Sequence, residues 1–323
     1  MKTTSLDTTG GDPRELAISR VIGAPREAVF DALTNAGQIS AWWGPRGFAI
    51  TTAEIDIRPG GRWRFTMHGP DGTDYRDLII YSEITRPSRI AFQHYDDSPG
   101  AGAGFETTIS LEEVPEGTRV TLLNRLATPE ERDAAIAFGA VEGGLGTLER
   151  LEEHLLLRPE EGVTFQIARV FHYPVETIFR AWTECEHLRR WWGPPGFEMS
   201  VCNLDLRPGG TWHYCLRSES GEEMWAKWTY RDVVRQRRLT AVNSFSDANG
   251  NATHHPMSPD WPLETLGTMT FEAVPEGTRV TLVTVPWDTN EAGLETFRAG
   301  IESMEAGFGA TFDKLDAYLG QTP

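Results

Sequence analysis

Trp42-Trp43-Gly44-Pro45-Arg46-Gly47-Phe48, followed by Arg58-Pro59-Gly60-Gly61-Arg62-Trp63, decides the fold, because the same text returns as Trp191-Trp192-Gly193-Pro194-Pro195-Gly196-Phe197 and Arg207-Pro208-Gly209-Gly210-Thr211-Trp212. The offset is 149 in both places (191 − 42 and 207 − 58). One unit of about 150 residues is therefore written twice, and that is the commonest domain size. Working outward, each Trp-Trp-Gly-Pro closes a short helix, Gln38 to Trp43 and Glu186 to Trp192, because Gly-Pro cannot continue one. Before it, helix spacing is read in Val29, Phe30, Leu33 and in Ile178, Phe179, Trp182, with Pro25 and Pro174 at the first turn. A first strand precedes these helices, Leu16, Ile18 and Arg20 alternating with their neighbours; its counterpart is Phe165 to Phe171.

Downstream, turn residues cut the chain into a meander: Phe48 to Ile57, Arg62 to His68, Tyr75 to Ile84, Arg89 to His94, Phe105 to Glu113 and Arg119 to Leu126. The last pair is joined by Val114-Pro115-Glu116-Gly117-Thr118, which recurs at Val274 to Thr278, an offset of 160 (274 − 114). The second copy has thus gained 11 residues (160 − 149), in the loop Asn249 to Pro262. Each copy ends on an amphipathic helix, with Phe138, Val141, Leu145, Leu148, Leu151 and Leu155 in one and Phe297, Ile301, Met304, Phe308, Phe312, Leu315 and Leu319 in the other. Glycines inside these stripes (Gly143, Gly144, Gly146; Gly307, Gly309) each cost about 1 kcal/mol against Ala, so close approach to the sheet or to a ligand is expected there.

The fold class is α+β: tandem helix-grip domains, each a curved antiparallel sheet wrapped around a long C-terminal helix. The expected division is a disordered lead 1–14, a first domain 15–157, a linker 158–162 and a second domain 163–320. The order of elements, the Trp-Trp-Gly-Pro, Arg-Pro-Gly-Gly and Pro-Glu-Gly-Thr motifs and the glycine-bearing last helix resemble the START-related SRPBCC superfamily, and within it the domain of activators of the heat shock protein 90 ATPase. That resemblance implies a cavity between sheet and helix, and a function among ligand carriage, cyclase or hydratase chemistry, and co-chaperone contact.

A net charge of −17 repels nucleic acid and anionic membrane. No signal-peptide core and no run of 18 apolar residues is present, so the location expected is cytoplasmic. Cys185, Cys202 and Cys215 have no CxxC spacing and read as buried small hydrophobes, not as a disulfide or zinc framework. His254-His255 lacks further ligands at useful spacing, and no phosphate loop, dinucleotide fingerprint or nucleophile elbow occurs, so neither metal nor cofactor is expected.

Strand alternation, compared between copies, selects the cavity face. In the first copy it places Trp63, Phe65, Met67, Tyr75, Asp77, Ile79, Tyr81, Phe92, His94 and Asn124 inward; in the second, Tyr214, Met224, Trp228, Tyr230 and Asn243. These are the candidate ligand-binding residues, for a small hydrophobic molecule. Asp77 with His94 is the candidate acid/base pair, and only the first copy has it, since Ala226 and Asn243 stand at those positions in the second. Tryptophans divide three to eight between the copies; large aromatics fill a cavity or line one, and filling is the expectation for the second, which would make it a structural partner. Trp42/Trp43 and Trp191/Trp192 are expected to lock the second helix onto the sheet, with gating of the cavity mouth as the alternative. The two copies are further expected to pack as an internal pseudo-dimer.

Overall fold

The computed structural model describes residues 4–7, 11–100, 102, 104–157 and 163–321, and the chain divides into two compact units, Met1–Leu155 and Leu156–Pro323. The expected linker 158–162 lies outside the described residues.

In the first unit the order is β1 (Thr4–Asp7), β2 (Glu15–Ile22), α1 (Arg26–Thr34), α2 (Ala36–Trp42), β3 (Ala49–Ile55), β4 (Arg62–His68), β5 (Asp74–Thr85), β6 (Arg89–Asp96), β7 (Phe105–Val114), β8 (Gly117–Arg125), α3 (Pro129–Ala137) and α4 (Ala140–Leu156). All eight strands join one antiparallel sheet in the order β1-β2-β8-β7-β6-β5-β4-β3. Alternation works as expected on β2, where Leu16, Ile18, Arg20 and Ile22 are buried and their neighbours are not. Part of the lead is not disordered: Thr4–Asp7 pairs with Ala17–Arg20 and extends the sheet edge.

The second unit repeats the plan: β9 (Phe165–Phe171), α5 (Val175–Thr183), α6 (Cys185–Trp191), β10 (Phe197–Leu204), β11 (Thr211–Ser218), β12 (Glu223–Val234), β13 (Arg238–Ser246), β14 (Ala252–Thr253), β15 (Glu264–Val274), β16 (Gly277–Trp287) and α7 (Glu291–Leu319). Its sheet runs β10-β11-β12-β13-β15-β16-β9, and β14, made by the inserted loop, pairs with β13.

The repeated motifs are repeated joints. The indole nitrogen of Trp42 donates to the Ala32 carbonyl at 3.3 Å and that of Trp191 to the Ala181 carbonyl at 3.0 Å, fastening the second helix of each unit to the first. Trp43 and Trp192 turn instead into the core, meeting Trp63 at 5.8 Å and Trp212 at 5.1 Å edge to face. In Pro-Glu-Gly-Thr, Gly117 and Gly277 take φ of 131° and 141°, and a Cβ on either would run into the carbonyl of Ile22 or Phe171, so only glycine fits. The following threonines donate to Ala24 O at 2.8 Å and Tyr173 O at 2.7 Å, tying the last hairpin to the end of the first strand.

Two expectations need correction here. The terminal helix of the first unit is not continuous: α3 ends at Ala137 with Phe138 as its C-cap, Gly139 adopts φ 102°, and α4 starts afresh at Ala140. Phe138, read from its spacing as a core residue, is 85% exposed, whereas Leu148, Leu151 and Leu155 further along are buried. Gly139 in that conformation breaks the helix, which the apolar spacing cannot reveal. In the second unit α7 runs unbroken for 29 residues. The cysteines also differ from expectation. Cys185, opening α6, and Cys202, on β10, form a disulfide, while Cys215 is a buried free thiol. The pairing arises because β10 packs along α6, a tertiary neighbourhood without a spacing signature. Among the described residues no helix is long and apolar enough to cross a membrane.

Candidate functional site

Each unit encloses a cavity between sheet and terminal helix. That of the first is about 900 Å³, walled by Phe92, His94, Phe105, Thr107, Leu122 and Asn124 from β6, β7 and β8, by Met67 and Tyr75 from β4 and β5, and by residues 139–149 around α4. Trp43 and Gly44 form one end, and Phe138 stands at the helix break. Close approach of α4 to β2 explains one of its glycines: a Cβ on Gly144 would strike Ile18 Cδ1.

Of the inward set read from alternation, Met67, Tyr75, Phe92, His94 and Asn124 line this cavity. Trp63, Phe65, Ile79 and Tyr81 lie in the packed core instead, and Asp77 is 8% exposed behind His94. Alternation fixes a side chain's face but not its depth along the strand, and these residues sit where core packing has closed the space. Burial pushes the Tyr81 phenol upward, as it does Tyr230 in the second unit, so both remain neutral hydroxyls.

The Asp77 and His94 side chains do meet. His94 Nε2 lies 2.8 Å from Asp77 Oδ1 and donates to it, while Asp77 Oδ2 is buried without a hydrogen-bond partner. Phe65 and Phe105 flank the imidazole at 6.5 and 5.0 Å. The same sheet, one strand over, carries Thr107, whose hydroxyl donates to Asn124 Oδ1 at 2.8 Å across the β7/β8 pair. An acceptor-fixed imidazole and a hydroxyl-amide pair thus border a mostly apolar space.

Sequence reasoning missed the charged rim. Arg46, within the Trp-Trp-Gly-Pro-Arg stretch, reaches Glu149 at 2.6 Å and Glu153 at 2.8 Å on α4; Arg20 reaches Glu152 at 2.8 Å and Glu149 at 3.7 Å. Burial works against the Arg46 charge, but hydrogen bonds and attraction from Glu153 and Glu149 outweigh it and hold its pKa well above the ordinary guanidinium value. Arg150 is buried too and donates to the carbonyls of Trp43, Gly44 and Pro45 at 3.2, 2.9 and 2.7 Å. The available signal was an apolar stripe interrupted by Glu149, Arg150, Glu152 and Glu153, charges too many for the buried side of a helix unless partners wait opposite.

The second cavity corrects the expectation of a filled core. It measures about 390 Å³ and is lined by Tyr214, Met224, Trp228 and Asn243 from the inward set, joined by Trp192, Leu216, Phe245, Trp261, Thr265, Met304 and Phe308. Tyr230 is packed beneath it. The tryptophans stand edge to face along the space, Trp192 meeting Trp228 at 5.8 Å. Among the described residues no cluster of His, Cys, Asp and Glu could hold a metal ion.

The two-fold layout is matched by a family model, Activator of Hsp90 ATPase homolog 1-like protein, over residues 23–155 and again over 172–320. The chain belongs to that family. No curated protein matches it. Three similar solved structures each cover about half of this chain. A protein from Mycobacterium smegmatis is 24% identical, with 47% of this chain and 94% of that one covered and a TM-score of 0.40. One from Nitrosomonas europaea is 26% identical, covering 44% and 94%, TM-score 0.40. One from Silicibacter pomeroyi is 19% identical, covering 49% and 97%, TM-score 0.38.

Proposed function

We propose that the first unit is a carrier or sequestering site for a small, mainly apolar molecule with one polar end, held near His94 and Asn124. The observation carrying this reading is a cavity of about 900 Å³ whose apolar walls are interrupted by a His94 fixed on Asp77 and a Thr107–Asn124 pair. Native mass spectrometry of the full chain should show a hydrophobic guest retained from expression. Leu122→Trp, which puts an indole into that cavity, should displace it, and His94→Ala should weaken it about tenfold, the loss of one good hydrogen bond. A guest that survives Leu122→Trp with unchanged occupancy refutes the assignment.

The 2.8 Å contact between His94 and Asp77 favours a second reading, general base catalysis. A carboxyl that holds one imidazole nitrogen leaves the other to take a proton from a bound substrate, as cyclisation or hydration of a carbonyl compound requires. Here Asp77→Asn and His94→Ala each abolish turnover while binding of the substrate persists; turnover that survives both removes this reading and leaves the carrier.

A further inference from the structure

We infer that the second cavity is a separate ligand site, selective for a neutral, flat aromatic molecule bearing one hydrogen-bond donor, with Trp261 of the inserted loop as its cover. Among the described residues its lining contains no Asp, Glu, Lys, Arg or His, in contrast to the first cavity with Arg46, His94, Glu142 and Glu149. An ionic guest would be desolvated there without a counter-charge. Rings dominate the walls: Trp192, Trp228 and Tyr214 from the core side, Phe308 from the helix and Trp261 from the loop. Tyr214 remains a neutral phenol, burial pushing its pKa up to about 12.

Tyr214, Asn243, Ser244, Thr265 and Thr311 are the polar groups of this lining, and among them Asn243 carries the orphaned atom. Asn243 lines the cavity, and its side-chain oxygen is buried with no hydrogen-bond partner. A buried carbonyl oxygen without a donor is costly, and a guest's N–H or O–H relieves that cost. The strand opposite is adapted to the amide: a Cβ on Gly267 would stand 3.0 Å from Asn243 Nδ2.

The cover is what the insertion adds. Trp261 lies 5.3 Å from the Phe297 ring, and a Cβ on Gly300 would meet its indole at 2.7 Å, so α7 has a glycine seat for that ring. Pro262 and Leu263 continue the same wall. The first unit has no counterpart to this loop, and its mouth is flanked by the exposed Phe138 instead.

Calorimetric titration of the full chain with 2-naphthol, naphthalene and 2-naphthoate tests the inference without depending on a guest in the first cavity. 2-Naphthol should bind, with naphthalene about tenfold weaker for want of the donor and 2-naphthoate weaker still for its charge. Asn243→Leu should erase the preference for 2-naphthol over naphthalene, and Trp261→Ala should speed dissociation about tenfold, a loss of ring contact on the order of 1 kcal/mol or more. Ala226→Trp, or Thr265→Phe should that variant not fold, should abolish binding, whereas Leu122→Trp in the first cavity should leave it intact. Equal affinity for 2-naphthoate and 2-naphthol, or binding indifferent to both cavity-filling variants, overturns the proposal. Binding lost only in Leu122→Trp assigns these probes to the first cavity and leaves the carrier reading standing while this one falls.

Discussion

Replacing Arg150 by Met should open the first unit selectively. Arg150 Nη1 donates to Gly44 O at 2.9 Å and Pro45 O at 2.7 Å, with longer contacts to Trp43 O at 3.2 Å and, through Nη2, to Ala41 O at 3.4 Å. These carbonyls end α2 and begin the loop that forms the cavity's end wall. A hydrogen bond from a charged group is worth about 1.5–3 kcal/mol, and the two short ones together set a loss of roughly 3–6 kcal/mol. Water from the adjacent cavity can reach part of the abandoned surface, so the lower figure, about 3 kcal/mol, is expected. The second unit supplies the control. With the terminal helices aligned at an offset of 164 (312 − 148), Arg150 corresponds to Lys314, which makes a single bond of this kind, to Gly193 O at 2.8 Å. Lys314→Met should therefore cost about 1.5 kcal/mol, and Arg150→Lys should fall between the two. Hydrogen exchange with peptide-resolved mass spectrometry reads each unit within the intact chain. At about 1.4 kcal/mol per decade, Arg150→Met should lower protection of α2 and α4 by two orders of magnitude and Lys314→Met that of α6 and α7 by about one. Equal losses in the two variants would refute the claim that the guanidinium organises the end wall.

Three further outcomes are expected. Phe308→Ala should enlarge the second cavity while costing only about 1–2 kcal/mol in thermal unfolding, below the usual Phe→Ala loss because the ring already borders empty space. Removing the disulfide as Cys185→Ser/Cys202→Ser should lower the stability of the second unit by about 3 kcal/mol, the loop-closure value for a separation of 17 residues, and a reductant should add nothing further in a urea titration of that variant. His255 accepts the Met257 N–H on Nδ1 and packs on the Phe245 ring at 4.6 Å; burial depresses its pKa below the ordinary 6.5. The neutral ring is thus favoured in the fold, so its contribution is present above pH 6.5 and is lost as the pH falls through its depressed value; Trp261 fluorescence should change over that acid range in the wild type and stay flat in His255→Phe.

How much of this was legible in the sequence follows from how local each signal is. The repeated turns specify themselves: Gly117 and Gly277 are demanded by their own backbone angles, and Trp42 and Trp191 bond ten residues back, so motif and consequence share one stretch of chain. Helix break, edge strand and disulfide required knowledge from elsewhere. Gly139 reads as one more helix glycine until its φ is known, Thr4–Asp7 is a strand only because Ala17–Arg20 lies beside it, and Cys185 finds Cys202 through the docking of α6 on β10. Cavity residues fall between these cases. Alternation brought His94 and Asp77 to one neighbourhood, yet whether a face is packed or open depends on volumes summed over sheet, helix and loop. Composition alone therefore read the tryptophan-rich second half as full.

The differences between the units concentrate where a ligand would sit. Positions that build the joints are kept in kind: Trp42 and Trp191, Thr118 and Thr278, and Thr147 and Thr311, the last pair each bonding back to a glycine carbonyl at 2.9 Å. Around the cavities the chemistry is exchanged. Asp77 becomes Ala226, His94 becomes Asn243, Arg46 becomes Pro195, and Gly144, pressed on Ile18, becomes Phe308, whose ring meets Phe165 at 5.4 Å. The last exchange takes volume from the second cavity; the other three remove its charge. Were the second unit only a brace, nothing would select a hollow with uncharged walls beside an orphan amide oxygen, because a brace is most stable with that volume filled. Two hollows kept open on one scaffold, one ionic at its rim and one neutral throughout, fit two different guests.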